Sequence, residues 1–231
     1  MIKAVYFDFD NTLGNREVYA YRLYKEALKN CGIQDPVEME AVLQACMVYD
    51  QNGETNKNYV KDRIEKEFAV SFPVDDFNAF WETHLCDYTV PFNDAEKTLQ
   101  VLKDKGYLLG IITNGNSYGQ HKKIESSGLL QYFDAVIVSA DVGAWKPDGK
   151  VFAEALKQLG VRPEESVMVG DVFAKDVLGA YRAGMYPVWF NLHRFRFNEA
   201  GIREIYRICE IIDVVESLNS ISDTVKVNIG V

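Results

Sequence analysis

Four short stretches of the 231-residue chain place acids, a hydroxyl, an amide and a lysine where they could act on a polarised bond. Asp8 and Asp10 stand two residues apart, directly after the apolar run Ala4 to Phe7. Two carboxylates so spaced can share one metal ion and still play different parts if the chain bends between them. One can be nucleophile, the other acid and base. An isolated Asp-x-Asp is equally an ordinary turn pair, so its weight rests on what recurs downstream.

Ile111-Ile112-Thr113-Asn114-Gly115 repeats the design of an apolar strand that ends in a small hydroxyl and backbone amides. Such an end suits phosphate oxygens, and taken alone it is also an ordinary strand end. Lys146-Pro147 lies in a loop after a third apolar run, where a fixed cation could neutralise a phosphoryl group and separate neighbouring carboxylates. Gly170-Asp171, followed by Lys175-Asp176, brings two further acids to the end of a fourth run. Four clustered carboxylates repel one another unless a divalent cation sits among them.

The elements that must position these groups follow from periodicity. Ala4 to Phe7 reads as a strand buried on both faces. From Arg16 to Leu85 the apolar residues recur at three- and four-residue spacing in four groups: Tyr21, Tyr24, Leu28; Met39, Val42, Leu43, Cys46; Val60, Ile64, Phe68; and Phe77, Phe80, Trp81, Leu85. Breakers at Gly32 to Pro36, Asn52-Gly53 and Ser71 to Pro73 separate them, so four helices are predicted.

After Pro91, strands at Leu108 to Ile112, Ala135 to Val138, Val167 to Val169 and Val188 to Phe190 alternate with predicted helices near Gln120 to Ser126, Lys150 to Leu159 and Lys175 to Ala183. This is the pattern of a doubly wound parallel α/β sheet, a Rossmann-like core carrying an inserted four-helix cap subdomain. The expected division is 1–14 and 91–231 for the core and 15–90 for the cap. Asp94 reads as an N-cap, Gly160 and Gly184 as helix ends. Ile208 to Ile212 and Val214 to Leu218 read as a last strand and helix, and Asp223 to Val231 has no clear period.

Composition narrows the function. Hydrophobic residues at 48% suffice for a core and an inserted subdomain. A net charge of −9 has the wrong sign for coating a nucleic-acid backbone. No apolar run is long enough for a membrane span, and no basic segment with an apolar core follows Met1. The expectation is a cytoplasmic protein, monomer or homodimer, with no nucleic-acid or membrane partner. Cys31, Cys46, Cys86 and Cys209 are scattered without zinc spacing and read as reduced thiols.

The order Asp8-x-Asp10-x-Thr12, Thr113-Asn114, Lys146-Pro147 and Gly170-Asp171 through Asp176, each at a strand's end, resembles the haloacid dehalogenase-like hydrolase superfamily across nearly the whole chain. The helical insertion between the first two motifs resembles the subgroup with a cap there. That resemblance implies a magnesium-dependent phosphohydrolase acting on a small phosphorylated metabolite, such as a sugar phosphate or nucleoside monophosphate, through an aspartyl-phosphate. It implies Asp8 as nucleophile, Asp10 as acid and base, and Thr113 with the Asn114 amide on the phosphoryl oxygens. Lys146 would balance charge; Asp8, Asp171 and the carbonyl of Asp10 would hold Mg2+, with Asp176 behind them or acting through water.

Alternatives are a phosphomutase, a 2-haloacid dehalogenase, which needs no second acid, and a non-catalytic binding module. Asn15, Arg16, Tyr19, Arg22, Tyr49 and Lys57, polar or amphipathic groups near the predicted cap ends, are the candidates for contacts that set specificity, against the preferred reading of them as ordinary solvated helix faces. His84, His121 and His193 read as packing or surface residues.

Overall fold

The computed structural model describes residues 1–29, 31–196 and 198–220. The chain begins with β1 (Ala4–Phe7) and runs through α1 (Arg16–Leu28), α2 (Pro36–Asp50), α3 (Lys57–Phe68) and α4 (Phe77–His84). It continues with α5 (Ala95–Asp104), β2 (Leu108–Thr113), α6 (Ser117–Ser126), β3 (Ala135–Val138), α7 (Ser139–Val142), α8 (Gly149–Leu159) and β4 (Ser166–Gly170). α9 (Leu178–Arg182), β5 (Tyr186–Phe190), β6 (Arg203–Ile205) and α10 (Ile211–Ser220) follow.

The six strands form one parallel sheet in the order β3-β2-β1-β4-β5-β6. Alternate residues of β1 serve opposite faces, as the pleat requires. Val5 and Phe7 pack with Leu109, Ile111, Val167 and Val169 under α5 and α10, whereas Ala4 and Tyr6 pack with Ile112, Met168 and the α8 residues Phe152 and Ala155. Burying both faces is why these strands are continuously apolar. The strand order reverses about β1, and in such sheets the crevice outside the carboxyl ends at that reversal is where ligands bind.

The four helices between β1 and α5 have their own core of Tyr19, Leu23, Tyr24, Val42, Leu43, Val60, Ile64, Phe77 and Trp81. Each begins at an Asx residue whose side chain accepts from the first turn: Asn15 from Val18, Asp35 from Val37 and Glu38, Asn56 from Asn58 and Tyr59, Asp76 from Asn78 and Ala79. Each such cap stabilises by roughly 1 kcal/mol and marks where a helix must start. The chain enters and leaves this segment side by side: Asn15 N–H donates to Val90 O at 2.9 Å and Phe92 N–H to Leu13 O at 2.8 Å.

Several expectations are corrected. Ile208 to Ile212 is not a strand but a 3-10 turn running into α10, because Ile208, Ile211, Val214 and Val215 bury one helical face against the sheet. The last strand is instead β6, whose Arg203-Glu204-Ile205 holds a single apolar residue and so carries no readable period. Asp94 makes no side-chain cap; its carboxylate accepts from Cys209 N–H at 3.1 Å, fastening α5 to the turn before α10. The helix expected over Lys175 to Ala183 is a π turn, Phe173–Val177, followed by α9. Gly160 and Gly184 adopt the expected left-handed backbone. Asp223 to Val231 lies outside the described residues. Among those residues, no helix is long and apolar enough to cross a membrane.

Candidate active site

The carboxyl ends of β1, β2 and β4 meet the helical segment across a cleft of about 740 Å³. Asp8 is the first residue past β1, and its N–H donates to Val169 O at 2.8 Å, which extends the sheet by one rung. The chain then turns sharply. Phe9 O accepts from Leu13 N–H at 3.0 Å and Gly14 N–H at 2.8 Å, and Asn11 sits in the left-handed region at φ 57°, which Asn tolerates. This bend lets two carboxylates two residues apart face different surroundings.

Asp8 faces lysine and acids. Lys146 Nζ lies 2.6 Å from Asp8 Oδ1, 2.7 Å from Asp176 Oδ1 and 2.7 Å from Ile112 O. Two of its N–H groups donate to Asp8 Oδ1 and Ile112 O, Asp176 Oδ1 lies at ion-pair distance, and its side chain is 2% exposed. Asp176 Oδ2 accepts from Val172 N–H at 2.9 Å, folding the loop after β4 back on itself. That loop passes so close that a Cβ on Gly170 would lie 2.3 Å from the Asp176 carboxyl carbon, which accounts for glycine there. Asp171 is held through its backbone, because Trp189 Nε1 donates to its carbonyl at 2.9 Å.

Carboxylate oxygens of Asp8, Asp171 and Asp176 all lie within 4.8 Å of one another. Three acids around one lysine leave an excess of buried negative charge. Burial pushes the Asp8 carboxyl up to about 7, with Lys146 drawing it down and Asp176 adding to the rise. Burial, then the charges of Asp8 and Asp176, push Asp171 well above the usual range. Asp171 Oδ1 is buried without a hydrogen-bond partner. An all-oxygen donor set with uncompensated charge and an unpartnered oxygen fits a hard divalent cation.

Thr113, the last residue of β2, lines the same cleft, and its buried hydroxyl is unpartnered. Asn114 spends its side chain otherwise: Oδ1 accepts from Lys146 N–H at 2.9 Å and Nδ2 donates to Lys146 O at 3.2 Å. Thus Asn114 fixes the loop that delivers Lys146.

Asp10 turns away from this cluster into a set of donors. Oδ2 accepts from Gln120 Nε2 at 2.9 Å and Lys123 Nζ at 2.5 Å, and Oδ1 accepts from the Tyr19 hydroxyl. Burial alone would raise this carboxyl, but Lys123 and Arg16 outweigh it and hold it at about 2. The fold thus separates Asp8 and Asp10 electrostatically.

Gln120 and Lys123 escaped sequence reasoning, although their three-residue spacing puts them on one face with buried Ile124. Polar groups on a helix's buried face were the available signal. Of the six residues read as solvated, Arg22 is exposed, Asn15 caps α1, and Tyr49 bonds Glu67 at 2.6 Å away from the cleft. Arg16, Tyr19 and Lys57 are buried, which corrects that reading. Arg16 Nη1 meets Asp50 Oδ2 at 2.6 Å and Lys57 Nζ meets Asp50 Oδ1 at 2.5 Å, with the Trp81 ring beside both cations. Burial raises the fully buried Asp50 carboxyl, but Arg16 and Lys57 hold it below its usual range. His84, His121 and His193 pair with surface acids, and His193 also lines the cleft rim. All four cysteines are free thiols.

The description haloacid dehalogenase-like hydrolase matches residues 5–190. A glyceraldehyde 3-phosphate phosphatase of Pyrococcus furiosus is 33% identical over 226 residues, covering 94% of this chain and 93% of its own length. One from Methanothermobacter thermautotrophicus is 34% identical over 196 residues, 83% of this chain and 86% of its own. The crystal structure of a HAD phosphatase from Thermococcus onnurineus superposes with a TM-score of 0.65 at 31% identity, covering 93% of this chain and 98% of that one. With sheet order, strand-end residues and relatives in agreement over nearly the full length, this chain belongs to the haloacid dehalogenase-like hydrolases.

Proposed function

We propose that this protein is a magnesium-dependent phosphatase that transfers a phosphoryl group from a small phosphorylated metabolite to Asp8 and then to water. The observation that carries the reading is the separation of the two leading carboxylates: Asp8 clamped by Lys146 within an acid cluster, Asp10 held apart by Lys123. Two carboxyls in different surroundings can take different roles. Here Asp8 is held up and Asp10 held ionised. In this reading Asp8 is drawn down for attack by a cation among Asp8, Asp171 and Asp176, and Asp10 takes up its proton once the phosphate ester is bound. The names of the Pyrococcus and Methanothermobacter relatives support a sugar phosphate as substrate, and a nucleoside monophosphate belongs to the same class.

In the first half-reaction a carboxylate oxygen of Asp8 bonds to phosphorus as the bond to the leaving oxygen breaks, and Asp10 gives that oxygen a proton. In the second, Asp10 takes a proton from water, whose oxygen displaces Asp8 from phosphorus. Lys146 keeps Asp8 oriented, and the Thr113 hydroxyl with the Asn114 amide meets the phosphoryl oxygens. Asp8, Asp171 and the carbonyl of Asp10 would hold Mg2+, which would lower the repulsion between nucleophile and phosphate. Asp176 braces Lys146 and the loop behind them.

Residues 15–90 serve in this reading as a cap on a core of 1–14 and 91–231, hinged where Asn15 and Val90 run side by side. The cap excludes water and contacts the leaving group. The test is phosphate release from a panel of sugar phosphates, nucleotides and phosphorylated acids with magnesium. Wild-type turnover by Asp8→Asn on any of them would overturn the proposal.

A further inference from the structure

We infer that the core side of the cleft carries a recess for a planar heteroaromatic ring on the leaving group, built by Phe173, Trp189 and Phe195. This deepens the phosphatase reading and rests on it: the substrates so favoured are monophosphate esters that bear such a ring. Trp189 anchors the recess to the acid cluster, because its indole N–H donates to Asp171 O at 2.9 Å. Phe173 meets the buried Trp189 ring edge-on, at 89° with centroids 5.2 Å apart. Phe195 lies nearly parallel to that ring, at 9° and 6.2 Å. All three line the active cleft, and all three also line an adjoining space of about 380 Å³ bounded further by Glu199 and Ala200. That volume falls within the range of small-molecule sites, and it opens beside the acids that would act on the ester.

Apolar side chains scattered singly on a surface need no explanation, but these are grouped and held in place. Phe173 is 37% exposed and Phe195 63%, although both lie beside a buried ring. Phe195 is pinned through its main chain by Asn191, itself 1% exposed. Its N–H donates to Asn191 Oδ1 at 2.8 Å, and Asn191 Nδ2 donates to its carbonyl at 2.9 Å. Phe173 opens the π turn Phe173–Val177, a form of helix that recurs at functional sites, and the preceding Val172 N–H is bonded to Asp176. Exposed rings on tethered backbone offer contact area at low entropic cost, since each has only two side-chain torsions to fix. A planar ring suits them better than an open-chain alcohol does, because stacking adds to apolar burial.

The experiment measures kcat and KM for phosphate release, with magnesium, from UMP, pyridoxal 5'-phosphate and ribose 5-phosphate. The first carries its ring beyond a sugar, the second directly on the ester carbon, and the third carries none. Phe195→Ala and Phe173→Ala should each raise KM roughly 10-fold for a ring-bearing ester that the recess fits, with kcat changed less than about twofold. KM for ribose 5-phosphate should move less than about twofold. Phe195→Tyr should keep the wild-type KM, and Phe195→Leu, apolar without a π face, should not. A response confined to UMP identifies the ring as a nucleobase; one confined to pyridoxal 5'-phosphate identifies a ring next to the phosphate. Phe173→Ala carries the test should Phe195→Ala fail to fold by circular dichroism. Equal shifts in KM for all three esters, or no shift in either variant, overturn the recess and leave the phosphatase reading standing. Turnover of ribose 5-phosphate and of neither ring-bearing ester does the same. If no ester of the wider panel is hydrolysed, the phosphatase reading falls and this inference falls with it.

Discussion

Two buried charge clusters face the same cleft and are built with opposite balance. At the sheet, Asp8, Asp171 and Asp176 surround one ammonium, Lys146. Within the helices, Arg16 and Lys57 surround one carboxylate, Asp50, which also accepts from the Tyr24 hydroxyl at 3.1 Å. The first cluster is short of positive charge and leaves Asp171 Oδ1 unpartnered, a donor set that fits a cation. The second has every Asp50 oxygen engaged and needs nothing further. The lesson is that buried charge alone does not distinguish a reactive site from a brace; the sign of the excess and the unpartnered atoms do.

The contrast breaks most visibly through activity. Asp8→Asn should lower kcat by at least about 10⁴-fold, because an amide is a poor nucleophile, while urea unfolding stays close to wild type. A variant that unfolds early instead would make Asp8 part of a brace.

Next in size is the response to metal. Exhaustive chelation should abolish phosphate release and magnesium restore it, with calcium a poor substitute because it prefers more ligands and looser geometry. Independently of activity, magnesium at roughly 100 times its Kd should stabilise the fold by about 2.7 kcal/mol, a Tm rise of about 5–10 °C. Asp171→Asn should lose that rise and Asp50→Asn keep it; equal rises in both variants would erase the distinction between the clusters.

The helical cluster should answer through stability. Asp50→Asn leaves two cations around a neutral amide and should cost about 3 kcal/mol in urea unfolding, the usual penalty for breaking a buried ion pair. The Asp50 carboxyl lies lower in the folded state than the roughly 3.9 of an unfolded chain. Its contribution is therefore present above that unfolded value and lost as pH falls through the lower folded one. Acid unfolding of the wild type should be steeper than that of Asp50→Asn; identical acid limbs would count against the pairing.

The smallest effect belongs to the exposed bridge between the two regions, Lys175 Nζ to Glu54 Oε1 at 2.6 Å. Glu54→Gln should change stability by less than about 1 kcal/mol and KM by less than about twofold, since exposed pairs are screened. A larger shift in KM with unchanged kcat would show that this bridge governs closure.

How much of this was legible differs by region for a physical reason. The strand ends could be read because a strand buried on both faces is a short continuous apolar run, and the next residue must sit at the sheet's edge. Asp8, Thr113 and Asp171 announce themselves in that way. Four helices were legible from spacing, yet their faces were not: Arg16, Tyr19 and Lys57 look like solvated polar residues until something is packed over them. Ile208 to Ile212 misled because an apolar run has no period of its own, and β6 was missed because one isoleucine makes no pattern.

By itself, the sequence determined the fold class and the roster of strand-end groups, since both depend on local order along the chain. Only the tertiary structure decided which partners those groups meet. Asp10 meets Lys123 across 113 residues and Lys146 meets Asp8 across 138, separations that no local pattern encodes. A carboxylate's character comes from the charges and donors within a few ångströms of it, and those are chosen by how the sheet brings distant strand ends and helix faces together.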